Sequence, residues 1–269
     1  MIIQRVALVV LVLWGVLAAC APLLALQPDS VDLRQMLQGP SGDALLGHDE
    51  LGRPLLDRLI AGAHVSLLVS LAVVSLSVVL GTLIGTVSAW VGGVLDHLIV
   101  RIIDVFLAFP GILLAIALAG ILGPGIENVV LALTTVGWVG FARLSRAQTL
   151  SLKHREHVLA AVALGARTPR ILACHVVPLM AAPLIVEATF GVAAVIIAEA
   201  GLSFLGLGVQ PPQASWGSII QSGTRYLLVA PHLVIVPAVA LSMVVLAVNL
   251  LGDQMRDRLD VRGHHGRAN

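Results

Sequence analysis

Uncharged stretches long enough to cross a bilayer alternate along this chain with short charged ones. Val6 to Leu26 carries no charged residue, and neither does Val65 to Leu95. A hydrocarbon core of about 30 Å takes about 20 helical residues. The second run exceeds that, so part of it is predicted to form a turn. A third helix is predicted from about Leu98 to Leu122, with Arg101 and Asp104 near one end, and Gly123-Pro124-Gly125 breaks it. A fourth begins near Asn128 and runs toward Arg143; a fifth covers about 182–207 and a sixth about 231–252. The pattern predicts an all-α integral membrane protein with six transmembrane helices. It divides into an N-terminal span (1–26), an extramembrane segment (27–64), a core of spans (65–252) and a tail (253–269).

The largest charged interruption is the loop 143–178. Arg143, Arg146, Lys153, Arg155, Arg167 and Arg170 all lie in it. Glu156 to Leu164 is rich in helix formers, and Gly165 is a good C-terminal stop. Thr168-Pro169 then reads as a helix start, with Thr as N-cap and Pro in the first turn. Two short helices joined by a glycine turn are predicted. The first presents Leu159, Val162, Ala163 and Ala166 at helical spacing. Such a stripe fits a groove on another protein or the lipid headgroups, and periodicity alone does not choose between them.

Composition agrees with a membrane setting. Charged residues make up 12% of the chain and hydrophobic ones 58%, whereas soluble domains are about a quarter charged. The net charge of +1 is scattered among loops, which gives no face for nucleic acid. Basic residues mark the cytoplasmic side. With the N-terminus inside, 12 of the 16 Lys and Arg residues fall on cytoplasmic segments, leaving Arg34, Arg53, Arg58 and Arg225 outside. Both termini and the 143–178 loop are therefore expected on the cytoplasmic side of the membrane. Leu17-Ala-Ala-Cys20 resembles a lipidation signal, but the chain continues as further membrane, so the segment is read as a first helix. Cys20 and Cys174 are expected on different helices, with no disulfide framework. A phosphate-binding loop needs Gly-Lys-Ser/Thr, and the single lysine, Lys153, stands between Leu152 and His154. Energy for any transport must come from a partner or an ion gradient.

Several motifs together resemble a known family. Ala160-Ala161, Gly165, Ile171 and His175-Val-Val-Pro178 look like the cytoplasmic coupling motif of ABC importer permeases. Leu46-Gly-His-Asp49-Glu-Leu-Gly52-Arg53, Arg101-Ile-Ile-Asp104, Glu199-Ala-Gly201-Leu-Ser203-Phe-Leu-Gly206 and Asn249-Leu-Leu-Gly252-Asp253 narrow the match. The chain resembles the C-type permease subunit of dipeptide, oligopeptide and nickel importers over nearly its whole length. The resemblance implies a type I importer permease fold, a second permease as heterodimer partner, two ABC ATPase subunits and an extracytoplasmic binding protein. ATP would be bound by the partners, with no cofactor in this chain. Glu156, Leu159, Ala160, Ala161, Gly165, Ile171, His175 and Pro178 would form the ATPase-coupling segment. Leu159 stands where the family usually carries glutamate. Peptide cargo is the leading expectation; nickel or a nickel chelate is the alternative, and a gradient-driven carrier a third.

The charged residues of the spans have two readings each. Glu187 and Glu199 either line the translocation path or bond to a neighbouring helix, because a carboxylate in hydrocarbon is costly. Asp49 and Arg53 form either a gate or docking surface, or an ordinary surface turn. Arg101 and Asp104 lie three apart on one helix face and are expected to pair. Trp216 fits an interfacial anchor. His48, His64, His264 and His265 are not spaced as a coordination site, and no metal is expected.

Overall fold

The computed structural model describes residues 2–42 and 44–264, with the side chains of 2, 3 and 260–264 excepted. The tail pair His264-His265 therefore falls at and beyond the edge of what is described. Among the described residues ten α-helices follow one another: α1 (Ile2–Cys20), α2 (Leu55–Val91), α3 (Gly93–Leu107), α4 (Gly111–Leu122), α5 (Ile126–Leu152), α6 (Glu156–Ala163), α7 (Thr168–Ile171), α8 (Ala181–Phe204), α9 (Trp216–Gly223) and α10 (His232–His264). Five segments among the described residues are long and apolar enough to span a membrane. The pair α3–α4 makes a sixth crossing only as a bent unit, with 87° between its halves. The single helix expected over 98–122 is thus two. Pro110 is the N-cap of α4, and the residue before a proline is steered out of the helical region.

Helix α2 starts ten residues before its uncharged run. Its 37 residues extend about 55 Å at 1.5 Å per residue, well beyond the apolar layer. Its first turns carry Asp57, Arg58 and His64, each with a partner. Asp57 accepts from the Gln27 backbone N–H at 2.8 Å, and His64 Nδ1–H donates to the Ala18 carbonyl at 2.7 Å. The second bond ties α2 to α1. Helix α2 ends at Gly92, whose φ of +70° is a conformation that side chains resist.

The core is laid down in layers. One cluster joins α1, the start of α2, α8, α9 and α10 around Leu55, Ile196, Trp216 and Leu233. A middle cluster packs α2, α4, α5 and α8 through Val69, Val73, Ala115 and Leu202. A third, at the other end, joins α5 and α8 to α6 and α7 through Leu152, Val158, Ile171 and Met180. Between α2 and α5 the backbones approach closely at Gly81 and Gly85. A Cβ at either would collide with backbone atoms of Trp138 or Ala142. Without a hydrophobic drive in lipid, helices associate through such small-residue contacts.

Arg101 and Asp104 are both exposed and do not pair. The ion pair in this region is Asp96 with Arg146. Arg146 Nε and Nη2 each donate to the Asp96 carboxylate at 2.7 Å, and Ser88 Oγ donates to it as well. The fork clamps α3 against α5, a stronger geometry than a single contact between flexible chains.

Trp216 is buried, not interfacial. It is 2% exposed, and its indole N–H donates to the Leu59 carbonyl at 2.9 Å. Gly62 leaves the space: a Cβ there would lie 2.9 Å from the indole. Ser215 caps α9 through a reciprocal pair with Ser218, which fixes where the tryptophan enters.

Candidate coupling surface and gate

Helix α6 is short, and its sequence divides into two faces. Val158 is fully buried and Ala161 nearly so, both in the cluster that contains Leu152 and Ile171. The opposite side is open. Leu159 is 51% exposed, Val162 49% and Leu164 87%, with Glu156, Ala160 and Ala163 exposed beside them. Ala166, expected on the open stripe, instead packs partly against the core, and Leu164 takes its place. Gly165 ends the helix at φ +77° with open space around it, as the sequence predicted.

The segment after α6 is held firmly. Ile171 is 2% exposed and anchors α7. The chain then passes through one wide π-type turn (Leu172–Val176) and a 3₁₀ turn (Val177–Met180) before α8. His175 is half-buried, Pro178 is exposed, and Val176 between them is fully buried. A rigid pedestal therefore displays an apolar patch, which is the arrangement a helix needs to seat in a groove of another protein.

At the far end, residues 47–58 fold into a polar knot on the start of α2. Asp49 is its centre. Its Oδ1 accepts from the backbone N–H of Leu51 and of Arg53, both at 2.9 Å. Its Oδ2 accepts from Arg53 Nε at 2.6 Å and lies 3.3 Å from Arg58 Nε. Arg53 also reaches Glu50 at 3.1 Å. Asp49, Arg53 and Arg58 are all nearly inaccessible. Gly52, at φ +71°, passes so close to the Asp32 carbonyl that no side chain fits. Arg58 was not singled out by sequence reasoning, because its partners Asp49 and Asp29 belong to a folded loop. Removing one partner of a buried charge network leaves the rest unpaired, a loss of about 3–5 kcal/mol. Asp49→Ala is thus expected to lower stability by that amount, read as a fall in melting temperature in detergent; an unchanged melting temperature contradicts it.

The two carboxylates of α8 have different surroundings. Glu199 is 1% exposed. Its Oε1 accepts from Ser203 Oγ at 2.7 Å and its Oε2 from Ser66 Oγ at 3.2 Å. Ser203 Oγ also accepts from the Val209 backbone N–H. Glu199 therefore braces α8 against α2 and the following loop, inside the packing and away from open space. Glu187 is exposed and lines a cavity of about 630 Å³ with Gln148, Phe190 and Arg256. His48 and His64 do not come together as a metal site: His64 is engaged with Ala18, and among the described residues no cluster of three metal-ligating side chains occurs.

Residues 77–263 match the family described as binding-protein-dependent transport system inner membrane component. The chain belongs to this family. It is 38% identical to a dipeptide transport system permease protein, DppC, of Alkalihalophilus pseudofirmus, over 95% of this chain and 84% of the relative. It is 42% identical to a glutathione transport system permease protein, GsiD, of Escherichia coli, over 85% of this chain and 76% of the relative. Among solved structures it resembles an inward-facing MetNI methionine ABC transporter, with a TM-score of 0.62 at 19% identity, covering 76% of this chain and 97% of that one. The type I importer permease fold expected from the sequence is therefore present. The chain is a multi-pass membrane permease of the binding-protein-dependent class and is not itself catalytic.

Proposed function

We propose that this chain is one permease subunit of an ATP-driven importer of short peptides. Both termini and α6 face the cytoplasm, and a second permease completes the pathway. Two ATPase subunits bind and hydrolyse ATP, and a separate extracytoplasmic protein delivers the peptide; this chain needs no cofactor of its own. The observation that carries the reading is α6, whose apolar face is held open on a buried pedestal. Closure of the ATPase dimer would push on that helix, through Glu156 to Gly165, and be passed to α5 and α8 by Ile171 and the turns around His175 and Pro178. Such coupling requires two packings of the bundle whose balance ATP shifts. At the other end, the Asp49–Arg53–Arg58 knot offers a rigid platform for the binding protein. The dipeptide and glutathione systems named among the relatives put peptides ahead of nickel as cargo.

Uptake in cells lacking this chain tests the reading. Accumulation of labelled dipeptide should fall to background and return with the full-length chain, while nickel accumulation stays unchanged. Loss of nickel with peptide uptake intact would overturn it.

A further inference from the structure

Polar groups that face hydrocarbon in a span need a partner or a wet cavity. Glu187 has the cavity: α5, α8 and α10 enclose about 630 Å³, with Gln148 on one wall and Arg256 on another. A second cavity of about 520 Å³ opens between α4, α5 and α8, with Gly137, Ala194 and Ala198 in its walls. The two lie on one line. On α5, positions 137, 140, 144 and 148 recur at helical spacing, and on α8 so do 187, 194 and 198. Gly140 bridges them, since a Cβ there would stand 3.4 Å from Glu187 Oε1. The result is a furrow along the α5–α8 seam, apolar for most of its length, with small residues at 137, 194 and 198 and with Glu187, Gln148 and Arg256 at its polar end. Both volumes fall in the range of about 300–1,000 Å³ that accommodates small molecules.

We propose that this furrow is the chain's share of the peptide path, and that Glu187 receives cationic groups of the passing peptide. The inference rests on the peptide reading above. Arg256 lines the same cavity. Glu187 offsets its charge, and so lowers the barrier for a cationic dipeptide and raises it for an anionic one relative to a cavity holding Arg256 alone. Small residues at 137, 140, 194 and 198 leave side chains of the cargo room to pass. Glu187 thereby sets a charge preference inside the membrane, separate from whatever the binding protein selects.

The test uses the whole complex in proteoliposomes with saturating binding protein, and compares initial uptake of Ala-Lys and Ala-Glu. Glu187→Gln should lower the Ala-Lys to Ala-Glu ratio about tenfold, the scale of one charge contact in a partly wet site. Glu187→Asp should keep the ratio near that of the unaltered complex. Gln148→Glu adds a carboxylate to the same cavity and should raise the ratio, which keeps the test decisive where Glu187→Gln fails to assemble. An unchanged ratio in Glu187→Gln or Gln148→Glu overturns the proposal. So does equal loss of both peptides in Glu187→Gln, which would make Glu187 a structural contact with the second permease. Uptake of neither peptide by the unaltered complex would instead overturn the peptide reading itself.

Discussion

Val162→Asp with Leu164→Asp is expected to abolish peptide uptake while leaving the chain inserted and folded. Both residues are exposed, at 49% and 87%, so the charges meet water in the isolated chain and alter stability by about 0.5 kcal/mol or less each. In a complex the same positions would sit in a closed apolar groove. Apolar anchors of that kind are worth about 2 kcal/mol or more apiece, and burying an unpaired carboxylate costs further. Two such losses weaken docking by about a thousandfold at 1.4 kcal/mol per factor of ten. Leu159→Glu is the matched control. It restores the residue the family usually carries beside Ala160-Ala161, so it should keep uptake despite adding a charge on the same face. The measurement is labelled dipeptide uptake together with the amount of chain in the membrane and its co-purification with the ATPase. Full uptake by the double aspartate variant would remove α6 as the coupling element. Loss of uptake with the ATPase still bound at normal strength would place the defect after docking.

Signals written along the chain were legible in the sequence, and signals written across it were not. The existence of the spans follows from uncharged runs. Helix α8 came out within a few residues of its ends, while the fourth span runs on past Arg143 to Leu152 and the third is bent in two. The α6–Gly165–α7 break follows from the glycine turn, although Thr168 lies inside α7 and does not cap it. Helix α2 was placed too late because charge argued against a helix at 55–64. Those charges are answered by the Gln27 amide, by Asp29, by Asp49 and by the Ala18 carbonyl, none of which is near enough in sequence to be inferred as a partner. Arg146 meets Asp96 across 50 residues, whereas the local pair Arg101–Asp104, favoured by spacing, does not form. Trp216 looked like an interfacial anchor because tryptophan often is one; its actual partner, the Leu59 carbonyl, lies 157 residues away. The exposed stripe of α6 was legible because helical spacing is a local signal. Leu159, Val162 and Ala163 are exposed as expected; only Ala166 was misplaced, because it lies beyond the end of α6, where the turn at Gly165 takes the chain off the helical repeat.

Gly85→Val is expected to prevent the chain from accumulating in a folded form. Glycines at 81 and 85 lie one helical turn apart on α2 and face Trp138, Phe141 and Ala142 of α5. The obstacles at Gly85 are the carbonyl oxygen, carbonyl carbon and Cα of Ala142. Backbone atoms of a helix cannot rotate aside as a side chain can, so a bulkier residue must push the two helices apart. Overpacking a core commonly costs about 1–3 kcal/mol where side chains can adjust; here the loss should exceed about 3 kcal/mol, because the whole seam opens. The clamp from Arg146 to Asp96 and Ser88 lies along the same interface and would be strained with it. Gly85→Ala should fall between, since one methyl already meets Ala142. Gly120→Ala, on a helix surface with no atom within 4 Å of the added Cβ, should be harmless or slightly stabilising, as alanine favours helix over glycine by about 1 kcal/mol. Membrane abundance and melting temperature in detergent across the three variants read the order directly. Equal stability of Gly85→Val and Gly120→Ala would mean that α2 and α5 do not meet as closely as the fold requires.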